Sequence, residues 1–318
     1  MNDHHQLRVR ALSWEAEGVL GIELVPALPT QLLPPAEAGA HIDLHLANGQ
    51  VRSYSLTNAG ERHRWCVAVH RDPASRGGSR WIHDALRPGA QMEVDGPRNH
   101  FRLDEQAPHS VLIAGGIGIT PLLSMARRLT ALRRPWALHY AARTRAQMAF
   151  ADELRQLAEQ AGAVLDLRCD HEGDRPLDLA GIVAGLPAQA HVYACGPAGL
   201  LDAFETATAA LPRDCVHLER FANTQAAATD GGFSVRLARS GRSVAVAAGQ
   251  SILDALIAAG VEPLHSCREG VCGTCETRVL RGTPDHRDMV LSDAEKAAGD
   301  RMMVCCSGSK TPELELDL

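Results

Sequence analysis

No stretch of the 318-residue sequence is long and apolar enough to span a bilayer: the longest apolar run, around Val111 to Ile119, falls far short of the ~20 residues a membrane helix needs. The opening MNDHHQLRVR has no apolar segment, so a secretory signal is not expected. Positive charge is not in excess. Against 38 Asp and Glu stand 32 Lys and Arg, a net charge of -6, which argues against a nucleic-acid-binding face. No internal repeat is visible. These absences leave a cytoplasmic protein with no membrane and no nucleic-acid partner, long enough for two or three compact units.

Nine cysteines are present, an odd number without an export signal, so a disulfide framework is not expected. Cys66, Cys169 and Cys215 lie in apolar, strand-like stretches and read as small buried side chains. Five others crowd after position 266, which points to ligation of a metal or cluster.

The chain reads as multidomain. Residues 1–104 form short strands: His41 to Leu46 alternates, Asn48-Gly49 supplies a tight hairpin, Val51 to Leu56 and Trp65 to His70 follow, and Gln91 to Val94 is closed by Asp95-Gly96-Pro97. This spacing predicts a small antiparallel β-barrel. Over 105–222 strands alternate with helices. Val111 to Ala114, Trp136 to Ala141, Val164 to Arg168, His191 to Ala194 and Cys215 to Phe221 are the strands; Pro121 to Leu132, Phe150 to Glu159 and Pro197 to Ala210 are the helices. That rhythm predicts a doubly wound α/β nucleotide-binding sheet. Residues 223–232, NTQAAATDGG, are small and polar and read as a linker. A third unit over 233–318 opens with a hairpin across Ser240-Gly241-Arg242 and a helix capped by Ser251 that ends at Gly260.

Cys267, Cys272 and Cys275 are spaced C-x4-C-x2-C, and Cys305 follows after 29 intervening residues. This is the plant-type spacing for a 2Fe-2S cluster held by four thiolates. Gly270 and Gly273 let the loop wrap closely and aim backbone amides at the sulfurs. A structural zinc is the rival, although zinc thiolates usually come as two close sequence pairs. Cys306 is expected to point away from Cys305 and to pack.

Two further constellations suit phosphate. Arg52-Ser53-Tyr54-Ser55 lies on a barrel strand, with a fixed cation and an aromatic plane on alternate positions; Val69-His70-Arg71 ends another strand, and Gly77-Gly78-Ser79 opens a helix whose free amides form an anion cradle. Gly115, Gly116 and Gly118 join a strand to a helix before Thr120. They permit close approach of a pyrophosphate, though the strict G-x-G-x-x-G fingerprint is absent. Cys195-Gly196-Pro197 follows the fourth strand of the α/β region. Arg143-Thr144-Arg145 stands after the second, where no acidic residue is found and an arginine can accept a 2'-phosphate.

From Phe233 onward the chain resembles plant-type ferredoxins, which implies a β-grasp (α+β) fold there. R-x-Y-S and the glycine-serine turn resemble the flavin domain of the ferredoxin-NADP reductase superfamily. With the ferredoxin-like part at the C-terminus, the order resembles the phthalate dioxygenase reductase family, which includes vanillate demethylase-type reductases. The resemblance implies FMN as the flavin and NADH as the donor, with NADPH left open by Arg143. It implies that Thr120 faces the flavin, that Cys195 lies beside the nicotinamide and that Phe221 covers the flavin. It also implies a transient Rieske-type oxygenase or demethylase as electron acceptor, the chain itself being a monomer. Two alternatives stay open: a stand-alone flavin oxidase or quinone reductase, and a zinc-stabilised nucleotide-binding redox sensor.

Overall fold

A computed structural model describes residues 4–28, 30–223 and 225–318. Met1 to Asp3 of the polar opening and Thr224 of the expected linker lie outside them. The chain divides into two compact units, the first ending at Arg220 and the second beginning at Phe221.

In the first unit, β1 (His4–Ala16), β2 (Val19–Pro26), β3 (His41–His45), β4 (Val51–Ser55), β5 (Trp65–His70), α1 (Gly78–Ala85) and β6 (Gln91–Arg98) come first. Their strands form one antiparallel sheet in the order β4-β3-β6-β1-β2-β5. An isolated bridge from Leu56 to Val67 joins its two edges, so the sheet curls into a barrel. Leu7, Val9, Ile22, Leu24, Ile42, Leu44, Val67, Val69, Met92 and Val94 point inward at alternate positions and fill it. β1 and β2 precede the first strand singled out from the sequence. The outer face of β1 is largely polar, and in an antiparallel sheet with one wet face a few inward residues such as Leu7 and Val9 are enough. β6 does not close at Asp95-Gly96-Pro97 but runs on to Arg98, with a register shift opposite in β3 that accommodates the proline.

The same unit continues with β7 (Ser110–Gly115), α2 (Ile119–Ala131), β8 (Trp136–Ala142), α3 (Ala151–Ala161), β9 (Val164–Cys169), α4 (Leu179–Ala184), β10 (His191–Cys195), α5 (Ala198–Thr208) and β11 (Val216–Glu219). The five strands are all parallel in the order β11-β10-β7-β8-β9. α4 is an addition to the sequence reading; Asp178 caps it by accepting a hydrogen bond from the Gly181 amide at 2.9 Å. Ala16, Val19, Ala38, Ala68 and Phe101 of the barrel side share one core with Leu112, Leu122, Met125 and Tyr140. The Arg127 guanidinium adds a hydrogen bond to the Thr57 carbonyl at 2.6 Å, so barrel and parallel sheet are packed as one body.

The second unit holds β12 (Phe233–Leu237), β13 (Ser243–Val246), α6 (Ile252–Ala258), β14 (Glu276–Arg281), β15 (Pro284–Asp285), α7 (Asp293–Ala298), β16 (Arg301–Met303), β17 (Gly308–Ser309) and β18 (Glu313–Leu316). Its main sheet runs β13-β12-β18-β14-β16, with β18 parallel to β12 and its other pairings antiparallel. Helix α6 buries Ile252, Leu253 and Leu256, giving the β-grasp arrangement. Ser251 accepts the Asp254 amide at 3.1 Å as its cap. Described residues of the segment 223–232 hydrogen-bond to this unit: the Ala228 amide donates to the Cys306 carbonyl at 2.8 Å and the Gly232 amide to the Val246 carbonyl at 2.9 Å. Among the described residues no helix is long and apolar enough to cross a membrane.

Candidate electron-transfer sites

In the second unit the loop after α6 takes left-handed backbone at Arg268, Gly270 and Gly273 and so turns its amides inward. It brings the thiols into two hydrogen-bonded pairs, Cys267 with Cys272 and Cys275 with Cys305. Cys272, Cys275 and Cys305 are almost fully buried, and Cys267 partly so. The Glu269 amide donates to Cys267 Sγ at 3.3 Å, and the Gly270 amide reaches Cys305 Sγ. Two thiol pairs ringed by amide donors fit a cluster in which two irons are each held by two thiolates. Cys306 does not point away from Cys305: their side chains hydrogen-bond, because 304–306 form a turn, where the alternation of a strand does not apply.

Two further residues brace this loop. The Asn223 side-chain amide donates to the carbonyls of Glu269 at 2.9 Å and Arg287 at 2.7 Å. Asp288, fully buried, accepts the Leu291 amide at 2.8 Å, while the neighbouring Met289 amide donates to Gly270 at 2.9 Å. Each is remote in sequence from the loop, so spacing carries no sign of it.

In the first unit the Arg52 side chain lies against the start of α1. A side chain at Gly78 would come within 2.9 Å of the Arg52 Cγ and Nε, so only glycine leaves the guanidinium room there. Arg52 donates to Gln50 Oε1 at 2.7 Å, and Gln50 donates to the Arg76 carbonyl at 2.6 Å, which ties strand to turn. Gly77 has φ +110°, and the Ser79 hydroxyl accepts the Asp72 amide at 3.2 Å. Cation and glycines thus meet at the start of α1, with Ser79 next along it, a donor set that fits a phosphate. Tyr54 is partly buried, and burial pushes its phenol up despite the Arg52 charge. Ser53 donates to Asp43, Ser55 is buried, and Arg71 pairs with Asp84 at 2.9 Å. Val69 is buried in the barrel and His70, at the end of β5, is half-buried. That strand touches the turn Gly116–Gly118.

That turn lies at the carboxyl end of β7, and Cys195-Gly196-Pro197 lies at the carboxyl end of its neighbour β10. Between these strands the order of the sheet reverses, the place where open α/β sheets bind nucleotides. The glycines are required by packing. A side chain on Gly118 would overlap the Cys195 carbonyl, and one on Gly115 would meet Pro197 at 2.6 Å. Thr120, buried in the first turn of α2, donates to the Ile117 carbonyl at 3.0 Å. Arg143 is exposed after β8, whereas Arg145 is engaged by Glu172, which accepts its amide at 2.8 Å. Phe221 is 39 % exposed and is the first residue of the second unit.

Cys169 is buried as expected, while Cys66 and Cys215 are partly exposed. Cys195 is fully buried; burial, and then the Glu219 carboxyl beside it, pushes its thiol up. Glu219 pairs with Cys195 across β11 and β10, and its Oε2 is buried with no hydrogen-bond partner among the described residues. Burial raises this carboxyl from 4.5 to about 8. The folded state therefore holds the proton more tightly than the unfolded state. The resulting stabilisation is complete below pH 4.5 and is lost as pH rises through about 8. Thermal unfolding of wild type and Glu219→Gln between pH 5.5 and 8.5 should show the variant gaining on wild type as pH rises. A difference that stays constant with pH contradicts this account of the carboxyl.

Comparison with known proteins agrees with this geometry. Residues 235–309 match the 2Fe-2S iron-sulfur cluster binding domain and residues 112–206 the oxidoreductase NAD-binding domain. The chain is 56 % identical over 314 residues to the phenoxybenzoate dioxygenase subunit beta of Ectopseudomonas oleovorans, covering 98 % of this chain and 97 % of that one. It is 48 % identical to the tetrachlorobenzoquinone reductase of Sphingobium chlorophenolicum, with the same two coverages. Phthalate dioxygenase reductase, solved as a modular structure for electron transfer from pyridine nucleotides to [2Fe-2S], superposes with a TM-score of 0.73 at 40 % identity, over 99 % of this chain and 98 % of that one. An intact type IV self-sufficient cytochrome P450 monooxygenase gives a TM-score of 0.90 at 42 % identity; 99 % of this chain is covered, and it spans 41 % of that larger chain.

Proposed function

Because the chain belongs to the phthalate dioxygenase reductase family, we propose that it is the NADH-dependent reductase component of an oxygenase system, passing electrons to a separate Rieske-type oxygenase or demethylase. The observation that carries this reading is the pairing of Cys267 with Cys272 and of Cys275 with Cys305 inside a cage of amides. When bound, the flavin and the cluster supply the conversion of a two-electron donor into single-electron deliveries. The protein's own residues hold and orient. Arg52, Gly77, Gly78 and Ser79 would hold the FMN phosphate, and Tyr54, with Ser53, Ser55, Val69, His70 and Arg71 around it, would border the ring. Gly115, Gly116 and Gly118 would let the pyrophosphate of NADH approach, with Cys195, Gly196 and Pro197 shaping the nicotinamide pocket and Thr120 beside it. Phe221 is assigned as the cover of the flavin on the family resemblance alone. Arg143 leaves a place for the 2'-phosphate of NADPH.

The division into a flavin barrel over 1–104, a nucleotide unit over 105–222, a connecting segment over 223–232 and a ferredoxin-like unit over 233–318 belongs to the same proposal. So do the monomeric state, the transient nature of the oxygenase contact and the cytoplasmic location. Small polar contacts of transient electron-transfer pairs need no permanent oligomer.

Arg52→Ala tests the phosphate assignment. A charge-assisted hydrogen bond contributes ~1.5–3 kcal/mol, so FMN should dissociate about 10- to 100-fold more readily, read from the recovery of flavin fluorescence on dilution. Unchanged FMN affinity refutes the assignment. For the function as a whole, the chain is supplied with NADH, a purified Rieske-type oxygenase and that oxygenase's aromatic substrate. Product formation matched to NADH consumption is expected. NADH consumption that runs equally fast on oxygen or tetrachlorobenzoquinone alone, with no gain from the oxygenase, would favour the quinone-reductase reading suggested by the second relative.

A further inference from the structure

On the outer face of the barrel, β6 lies between β3 and β1. His4 on β1 stands opposite Asp95, and His45 at the end of β3 stands opposite Glu93. Because side chains alternate along a strand, this register puts His4, His45, Glu93 and Asp95 on one face. His4 Nδ1 is 2.6 Å from Asp95 Oδ1, and His45 Nε2 is 2.7 Å from Asp95 Oδ2. The two imidazoles stand edge to face with ring centres 5.7 Å apart. Glu93 Oε2 is 3.9 Å from His4 Nε2, on the other side of that ring.

We propose that His4, His45 and Asp95 form a binding site for one divalent transition ion of the zinc class, separate from the residues assigned to flavin, nucleotide and cluster. One ligand atom from each lies within 4.8 Å of the other two. Zinc bonds of ~2.0–2.2 Å in tetrahedral array separate ligand atoms by roughly 3.3–3.5 Å, so opening the two short hydrogen bonds by less than ~1 Å makes room for the ion. The ion replaces the protons that the imidazoles share with Asp95. Two imidazoles and one carboxylate favour zinc, nickel or copper(II) over magnesium or calcium, which prefer all-oxygen sets. Three protein ligands leave a fourth position. His45 and Glu93, with Gln6, also line a cavity of 680 Å³, from which water or a small anion could complete the shell. Such an ion would fasten His4 of β1 to the two strands that carry His45 and Asp95.

The test uses the full chain loaded with FMN and cluster, equilibrated with zinc sulfate and dialysed against metal-free buffer, followed by analysis of zinc, iron and flavin. Wild type should retain about one zinc per chain with iron and flavin unchanged, and the His4→Ala/His45→Ala double variant should retain none. Should the double variant lose its flavin, Asp95→Asn, which keeps the shape of the side chain, is measured in its place and should also retain none. Absence of retained zinc in wild type overturns the site, as does equal retention by the variants, which would put the ion elsewhere.

Discussion

Replacing Cys305 with serine should strip the protein of its cluster: iron and inorganic sulfide disappear, and reduction of a one-electron acceptor such as cytochrome c by NADH falls by at least about 100-fold. The reasoning is local. Cys305 is buried, paired with Cys275 and reached by the Gly270 amide, so its loss breaks one of two thiolate pairs. NADH should still bleach the flavin, since all the residues assigned to that step except Phe221 lie in the first unit. The informative control is Cys306→Ser. Its side chain touches that of Cys305, close enough to be considered as a replacement ligand, yet it also lies beside the Met303 carbonyl at 3.9 Å and under Gly270, where an added side chain would strike its sulfur. Cys306→Ser should keep iron and sulfide at wild-type levels. The reverse result, cluster lost with Cys306→Ser and kept with Cys305→Ser, refutes the ligand assignment.

Gly118→Ala should lower the rate at which NADH reduces the flavin by about 100-fold, with reduction by dithionite unaffected. The added methyl meets backbone, the Cys195 carbonyl and the Gly196 amide, rather than a flexible side chain. Overpacking of this kind costs ~1–3 kcal/mol, and the two turns at the switch point must separate to relieve it. Hydride transfer depends on position, where a displacement of ~1 Å costs about 100-fold. Stopped-flow traces at 450 nm would show the change. Wild-type NADH kinetics in Gly118→Ala would mean that the two turns do not jointly shape the nicotinamide pocket.

How much of this was legible beforehand depended on how far the signal was spread along the chain. The C-x4-C-x2-C loop is compact, and the chemistry dictates its spacing; the parallel sheet announced itself through apolar strands and glycine turns. Features assembled by tertiary contact were not legible. Asn223 belongs to a polar segment that reads as a spacer, and its hold on Glu269 and Arg287 exists only once the second unit has folded. Glu219 at a strand end looks like an ordinary surface acid until its carboxyl is found buried beside Cys195. Cys306 lies beside Cys305 because the backbone turns at 304–306, where strand alternation does not hold. His4, His45 and Asp95 are brought together by sheet register across 91 residues, which no local pattern reveals.

The central claim is that the sulfurs of the second unit and the phosphate cradle of the first belong to one electron path. Anaerobic titration with NADH, followed by absorbance together with low-temperature electron paramagnetic resonance, tests it most directly. Bleaching of the flavin should be accompanied by the rhombic signal of one reduced 2Fe-2S centre per chain. A flavin fully reduced by NADH beside a cluster that stays oxidised, or protein that holds no inorganic sulfide when purified without air, contradicts it.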